Sequence, residues 1–393
     1  MIALDLTRLM SRARFATPTG IDRVELAYAQ HLLTSGRDHC FAAINALGAL
    51  GALPQADAAR FVEMLAAMWR EGAAPEEANE IRALARRLQR TALFGGAGEL
   101  RTRLRADANP VYLLVSHSHL HRPNGIAWLK RASGAHFVCL IHDLIPLDYP
   151  QYTSRAQTAR HRRRIQTVAT LADGVIVNSA ATREALTQRI QPDIPIAVAP
   201  LGLDVPAGAA AAPTTVERPY FICLGTIELR KNQMLLLDIW HRLTVEHGER
   251  APRLLLIGRR GWGSEPIISR LALLSPVVEE RASLPDTALA PLLRGARAVL
   301  FPSFAEGFGL PVIEALASGA PVLCSDLPAL RESGGGVPDY LDPTDAAAWR
   351  AAIIDYAVDA PRRQAQLARL DQWPAPRWDQ HFAVVERFLA DLS

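Results

Sequence analysis

Apolar and polar positions alternate along this chain in two rhythms. Short apolar runs rich in branched residues fall at 2–6, 111–115, 137–142, 175–178 and 196–200. A second set follows at 221–225, 254–258, 298–302 and 322–325. Between the runs lie longer stretches with helical spacing of apolar residues. Short buried runs joined by helical crossovers predict parallel strands with helices on both faces of each sheet. The expected class is therefore α/β, with two doubly wound, Rossmann-like domains. The rhythm breaks at about 204–219, where Pro, Gly and Ala carry no periodic apolar face and predict a linker. That divides the chain into a first domain at 1–204 and a second at 205–375. Pro374 and Pro376 then swing the chain into a last helix, 378–392, with Phe382, Val385 and Leu389 on one face.

Composition narrows the function classes. The chain has 393 residues and a formal charge of +3, too balanced for a protein built to grip nucleic acid. Cys40, Cys139, Cys223 and Cys324 form no C-x-x-C pair, and the last three sit in apolar runs as buried small hydrophobes. No run approaches the roughly 18 apolar residues of a membrane span. Asp5 interrupts the first apolar run, which lacks a signal-peptide layout, and the expected compartment is the cytoplasm. Only two of the basic residues are lysines, Lys130 and Lys231. Because Lys and Arg are not interchangeable at a tight site, each lysine invites inspection.

Ligands of open α/β sheets bind outside the carboxyl ends of the strands, so chemistry is sought in strand-to-helix loops. The stretch FPSFAEGFGLPVIEALASGAPV begins at Phe301. Pro311 predicts a helix start and Gly319 its end. Glu306, Gly307, Phe308 and Gly309 then form a loop, Leu310 leads into the helix, and Glu314 falls in the first helical turn. Glycines let the backbone approach a ligand, and a helix N-terminus favours phosphate. A carboxylate one turn in suits the two hydroxyls of a ribose. In GTIELRKN, Gly225 and Thr226 follow a strand, and Arg230 and Lys231 make a phosphate clamp. His142 and Asp143 end a strand of the first domain. Near the N-terminus a loop is expected to lead to Gly20, with Asp22 and Arg23 in the first turn of an amphipathic helix. His117, His119 and His121 alternate, and on an extended strand they would share a face. Lining a cleft suits them better than holding a metal, since no Cys or carboxylate partner is visible.

The two glutamates separated by seven residues, within EGFGLPVIEALASGAPV, resemble the signature of retaining GT-B glycosyltransferases of family 4. The resemblance implies a first domain that binds the acceptor and a second that binds the nucleotide sugar. It also implies that segment 376–393 crosses back to the first domain. It places Glu314 on the donor ribose and Glu306 on the sugar hydroxyls. Gly225, Thr226, Gly307, Phe308, Gly309 and Leu310 would complete the donor site. The Arg-Lys-Asn triplet is similar to a subgroup of bacterial surface-polysaccharide mannosyl- and rhamnosyltransferases, in which Arg230 and Lys231 would face the pyrophosphate. His142 would line the reaction centre with Glu306 and Lys231, and Gly20, Asp22, Arg23, His117, His119 and Asp143 would serve the acceptor. The implied reaction moves a sugar, GDP-mannose being the first donor expected, to a glycan or lipid-linked glycan. No two Asp residues are separated by a single residue, so cations and helix dipoles are expected to replace a metal, and no cofactor is expected. Seven Arg face one acid in 81–105, and 155–164 holds five Arg and no acid. Both stretches raise contact with an anionic membrane surface. The sequence leaves two other readings open, a non-catalytic nucleotide-sugar-binding protein and another GT-B enzyme such as an epimerase or a phosphorylase.

Overall fold

A computed structural model of the chain describes residues 1–45, 48–93, 96–190, 193–203, 218–358 and 360–392. It folds as two compact units. The first comprises Met1–Asp148, Arg155–Leu201 and Trp378–Ser393, and the second Tyr149–Ser154 and Gly202–Arg377. The linker expected at 204–219 lies largely outside the described residues.

The first unit is built on a seven-stranded sheet. Its strands are β1 (Ile2–Asp5), β2 (His39–Ile44), β3 (Leu50–Ala52), β4 (Val111–Leu114), β5 (His136–Ile141), β6 (Gly174–Val177) and β7 (Ile196–Val198). Their spatial order is β3-β2-β1-β4-β5-β6-β7. Every pairing is parallel except β2 with β3. The second unit holds six parallel strands: β8 (Tyr220–Leu224), β9 (Arg253–Ile257), β10 (Val278–Arg281), β11 (Val299–Phe301), β12 (Val322–Ser325) and β13 (Asp339–Leu341). Their order is β10-β9-β8-β11-β12-β13.

These orders follow from the residues. The central strands are buried on both faces, as their unbroken apolar runs require. In the second unit, Phe221, Leu254 and Leu300 pack on one side, and Ile222, Leu255 and Val299 on the other. All four cysteines are buried and free. The helix Trp378–Asp391 buries Phe382, Val385 and Leu389 within the first unit. There the His381 ring bridges the Tyr28 hydroxyl (2.8 Å) and the Ala199 carbonyl (3.1 Å).

Strands β2, β3, β10 and β13 are not among the strands expected, and β3, β10 and β13 carry no long apolar run. β3 is the short Leu-Gly-Ala, β10 reads Val-Glu-Glu-Arg, β13 has three residues, and β2 is a buried apolar run that the expected strands leave out. All four lie at or beside a sheet edge, where solvent is near and polar residues are tolerated. A second correction concerns the segment after β1. The expected loop is instead a helix, Thr7–Arg12, starting two residues past the strand.

Candidate functional site

Each sheet reverses its winding at one place. In the second unit β8 lies between β9 and β11, and the crossover direction changes between β8 and β11. The carboxyl ends of those two strands open a crevice at the switch point. Gly225 follows β8, and Ser303 to Glu306 follow β11. The topology therefore brings together two segments about 80 positions apart.

The local backbone explains why these residues stand there. Gly225 has φ 131°, and a Cβ added to Gly258 would lie 1.9 Å from the Gly225 carbonyl oxygen. Only glycines permit this approach of the two strand ends. A single helical turn, Leu229–Lys231, follows and ends at Asn232 in the left-handed region (φ 56°). Asn tolerates that conformation, and its amide donates to the Pro343 carbonyl (2.9 Å). This turn aims the Lys231 ammonium inward. It donates to Glu306 Oε1 at 2.6 Å and lies 4.4 Å from the centre of the Phe301 ring. Arg230 donates to the Ala305 carbonyl (2.6 Å) and to Glu228 (2.7 Å), and its Nη1 lies 3.1 Å from Glu306 Oε1.

Three charged groups thus meet at the switch point. Burial alone would raise the Glu306 carboxyl, but Lys231 and Arg230 outweigh it and hold the group below its ordinary range. Burial lowers the Lys231 ammonium, and Glu306 offsets only part of that effect. Phosphate oxygens could replace Glu306 as partner of the two cations without unpairing them, because both donate several hydrogen bonds.

The loop then turns through Gly309 (φ 96°), where a Cβ would lie 2.3 Å from Leu330. Helix Leu310–Ala317 follows, with Pro311 in its first turn and Gly319 beyond its end (φ 79°). Phe308 and Leu310 are buried supports. Glu314 is half-buried in the second turn, and no acid occupies the first, which corrects the expected position by one turn. The Thr226 carbonyl accepts from Gln233 (3.0 Å), and its methyl packs on Gly261.

In the first unit the switch point lies between β1 and β4. His142 follows β5. Its Nε2 donates to the Val115 carbonyl (2.8 Å), which leaves Nδ1 with the lone pair. Its backbone N–H donates to His117 Nε2 (3.3 Å), and the two rings meet edge-on at 5.2 Å. His117 also meets the His161 ring at 5.3 Å. Burial keeps His117, His142 and His161 neutral by lowering all three. Asp143 accepts from the Ile145 N–H (3.1 Å) and so caps the next turn.

Three expectations fail here. His117, His119 and His121 lie beyond the end of β4 and do not share a strand face. His119 is buried against the Tyr112 hydroxyl (2.9 Å), which donates to Asp5 (3.0 Å), so it braces the core rather than an acceptor. Asp22 is fully buried and accepts from Arg8 (2.6 Å), Arg12 (3.0 Å) and the Thr19 N–H (2.7 Å). Those partners outweigh its burial and lower its carboxyl. Its work is to cap helix Gly20–Thr34, not to meet a substrate. Gly20 is exposed and Arg23 half-buried at the start of that helix. Sequence reasoning missed Asn232, Phe301, Gly258 and the buried Glu25. Of these, Gly258 had a signal, a glycine at a strand's carboxyl end. Among the described residues no group of three or more His, Cys, Asp or Glu gathers as a metal site.

Comparison with known proteins agrees with this layout. The model of Glycosyltransferase Family 4 matches residues 59–206, and that of Glycosyl transferases group 1 matches 218–359. O-antigen chain mannosyltransferase B of Escherichia coli is 36% identical over 152 residues, 38% of this chain and 40% of that protein. Serotype-specific mannosyltransferase WbdA of Escherichia coli is 28% identical over 225 residues, 51% of this chain and 27% of that protein. This chain therefore spans less than half the length of these curated relatives. The solved sucrose-phosphate synthase of Thermosynechococcus elongatus superposes with a TM-score of 0.68 at 18% identity, covering 100% of this chain and 99% of that one. The fold class is GT-B.

Proposed function

The chain belongs to glycosyltransferase family 4, and on that basis we propose that it transfers a hexose from a nucleotide sugar with retention of configuration. The observation that carries this reading is the cluster of Lys231, Arg230 and Glu306 at the switch point of the second sheet. Lys231 and Arg230 neutralise the leaving diphosphate, which the N–H groups of Gly307, Phe308, Gly309 and Leu310 also face. Glu306 turns to the sugar hydroxyls, and Glu314 accepts from the ribose. Gly225 and Thr226 let the backbone approach the donor. His142 lines the reaction centre, with its lone-pair nitrogen available to a hydroxyl. Gly20, Arg23, His117 and Asp143 flank the acceptor.

The acceptor hydroxyl oxygen bonds to the anomeric carbon on the face from which the diphosphate departs. The bond to the diphosphate breaks as its oxygen takes the acceptor proton. No covalent enzyme intermediate forms. The chain's own cations supply the charge neutralisation, so chelation leaves the rate unchanged.

The donor is GDP-mannose, and the acceptor a glycan or lipid-linked glycan of a bacterial polysaccharide. The mannosyltransferase relatives and the Arg-Lys-Asn triplet support that choice. Work on such an acceptor places the chain in the cytoplasm at the inner membrane face, with the Arg-rich faces of helices Pro75–Leu93, Gly96–Arg105 and Arg155–Leu171 toward anionic lipid. Among the described residues no helix is long and apolar enough to cross a membrane. The test is incubation with GDP-, UDP- and dTDP-sugars and acceptor glycans, with product stereochemistry read by NMR. An α-linked product from an α-configured donor supports the reading. Inversion, or hydrolysis alone with every donor and acceptor, overturns it.

A further inference from the structure

The loop that carries Glu306 has no secondary structure of its own. Residues 302–309, between β11 and the next helix, form neither strand nor helix, so the place of Glu306 depends on what fastens that loop. Arg230 fastens one part of it. Its carbonyl accepts from the Phe304 N–H (2.9 Å), and its guanidinium donates to the Ala305 carbonyl (2.6 Å). The Phe304 side chain, two positions before Glu306, has a different partner. Its ring stacks on Tyr152, with planes within 3° of parallel and centres 5.4 Å apart. Among the described residues no other aromatic ring meets Phe304.

Tyr152 reaches this loop from a distant part of the sequence. The chain leaves the first unit after Asp148, spends Tyr149–Ser154 in the second, and rejoins the first at Arg155. The excursion has a defined shape. Pro150 opens a single turn, Pro150–Tyr152, whose fixed φ suits that first position. The Tyr152 N–H donates to the Tyr149 carbonyl (3.0 Å), and Thr153 then returns to an extended conformation (φ −145°). The turn leaves Tyr152 half-buried on Phe304, with the exposed Tyr149 ring 6.5 Å away. A connection alone would not need an aromatic ring laid flat on the loop that holds Glu306.

We propose that Tyr152 is a positioning residue for Glu306. Its ring holds Phe304, and through Phe304 it keeps the loop where Glu306 meets Lys231 (2.6 Å) and Arg230 (3.1 Å). The inference rests on the reading of Glu306 as the contact to the donor sugar. A well-placed aromatic pair shifts an equilibrium about two- to tenfold beyond the effect of the area it buries. That hold should be felt by the sugar of the donor, which Glu306 serves, and not by the diphosphate, which the cations serve.

The test is calorimetric titration of GDP and of GDP-mannose into the full chain. Tyr152→Ala should lower the ratio of GDP-mannose affinity to GDP affinity about two- to tenfold, in the direction in which Glu306→Gln lowers it. Tyr152→Phe, which keeps the ring, should keep the wild-type ratio. Equal weakening of both ligands in Tyr152→Ala would mark a merely structural contact and overturn the inference. A ratio unmoved by Tyr152→Ala but lowered by Glu306→Gln would also overturn it, and would leave the donor reading intact. A ratio that neither substitution moves, or a wild type that binds neither ligand, counts against the donor reading instead. Urea unfolding of Tyr152→Ala, Glu306→Gln and the double variant then decides the inference without any donor. Stability costs that fall short of additive uphold the link through Phe304, and additive costs overturn it.

Discussion

The two switch points share a topology and differ in charge. In the second unit a lysine and an arginine meet a glutamate that they keep ionised. In the first, burial keeps His117 and His142 neutral, and Glu25, fully buried, is raised to about 8 by burial and by Asp5. One crevice offers formal charge that can be handed to a phosphate. The other offers lone pairs and hydrogen-bond donors suited to hydroxyls. A shared sheet architecture thus presents two different chemistries through differences in the loops at the strand ends.

The largest effect should come from removing the charge on one side. Lys231→Ala should lower the transfer rate about 10² to 10³-fold, as loss of one preorganised charge does elsewhere. It should also lower the melting point, since breaking a buried pair costs about 3 kcal/mol, partly relieved because Arg230 still faces Glu306. Unchanged transfer would dissolve the contrast between the two crevices.

Gly258→Ala sharpens the comparison through the backbone. The added methyl meets the Gly225 carbonyl, so the strand ends must separate and carry Lys231 with them. A loss of about 1–3 kcal/mol in urea unfolding is expected, with weakened nucleotide binding. Full stability would show that the close approach is not required.

On the first side, Asp22→Asn should cost about 1–2 kcal/mol through the weakened cap and its two arginine partners. The acceptor KM should stay within about twofold, since the carboxylate is spent inside the helix start. A raised KM at unchanged stability would restore Asp22 to the acceptor site.

The smallest effect concerns pH. Glu25 binds its proton more tightly in the folded chain than in the unfolded one. Its contribution is fully present below the unfolded value near 4.5 and is lost as pH rises through about 8. Wild type should lose stability relative to Glu25→Gln across that window in parallel melts. Curves of identical pH dependence would refute the buried neutral carboxyl.

The two crevices were also unequally legible. The second is written in two short segments, 225–232 and 301–314, because one loop and one helix start carry most of the chemistry. Local spacing therefore pointed to Lys231, Arg230 and Glu306, which the fold brings together, and missed supports such as Asn232 and Phe301, whose roles need the partner segment. The first is assembled around His142, His117 and His161, which no single spacing links. Sequence could not tell that Asp22 turns inward, because a capping acid and a ligand-binding acid occupy the same helical position. The central strands were legible from their unbroken apolar runs. The edge strands β3, β10 and β13 were not, since short or polar segments gain strand structure from their neighbours, and β2 was overlooked although residues 40–44 are an apolar run.

The most direct test of the donor crevice is thermal shift with GDP-, UDP-, dTDP- and CMP-sugars on wild type and Glu314→Ala. Ligand at about 100 times its dissociation constant adds roughly 2.7 kcal/mol of stability, which a melt resolves easily. The account predicts that one nucleotide class, GDP first, raises the melting point of wild type and fails to raise that of Glu314→Ala. A shift of equal size in both proteins would contradict the placement of Glu314, and no shift with any sugar nucleotide would contradict the donor site itself.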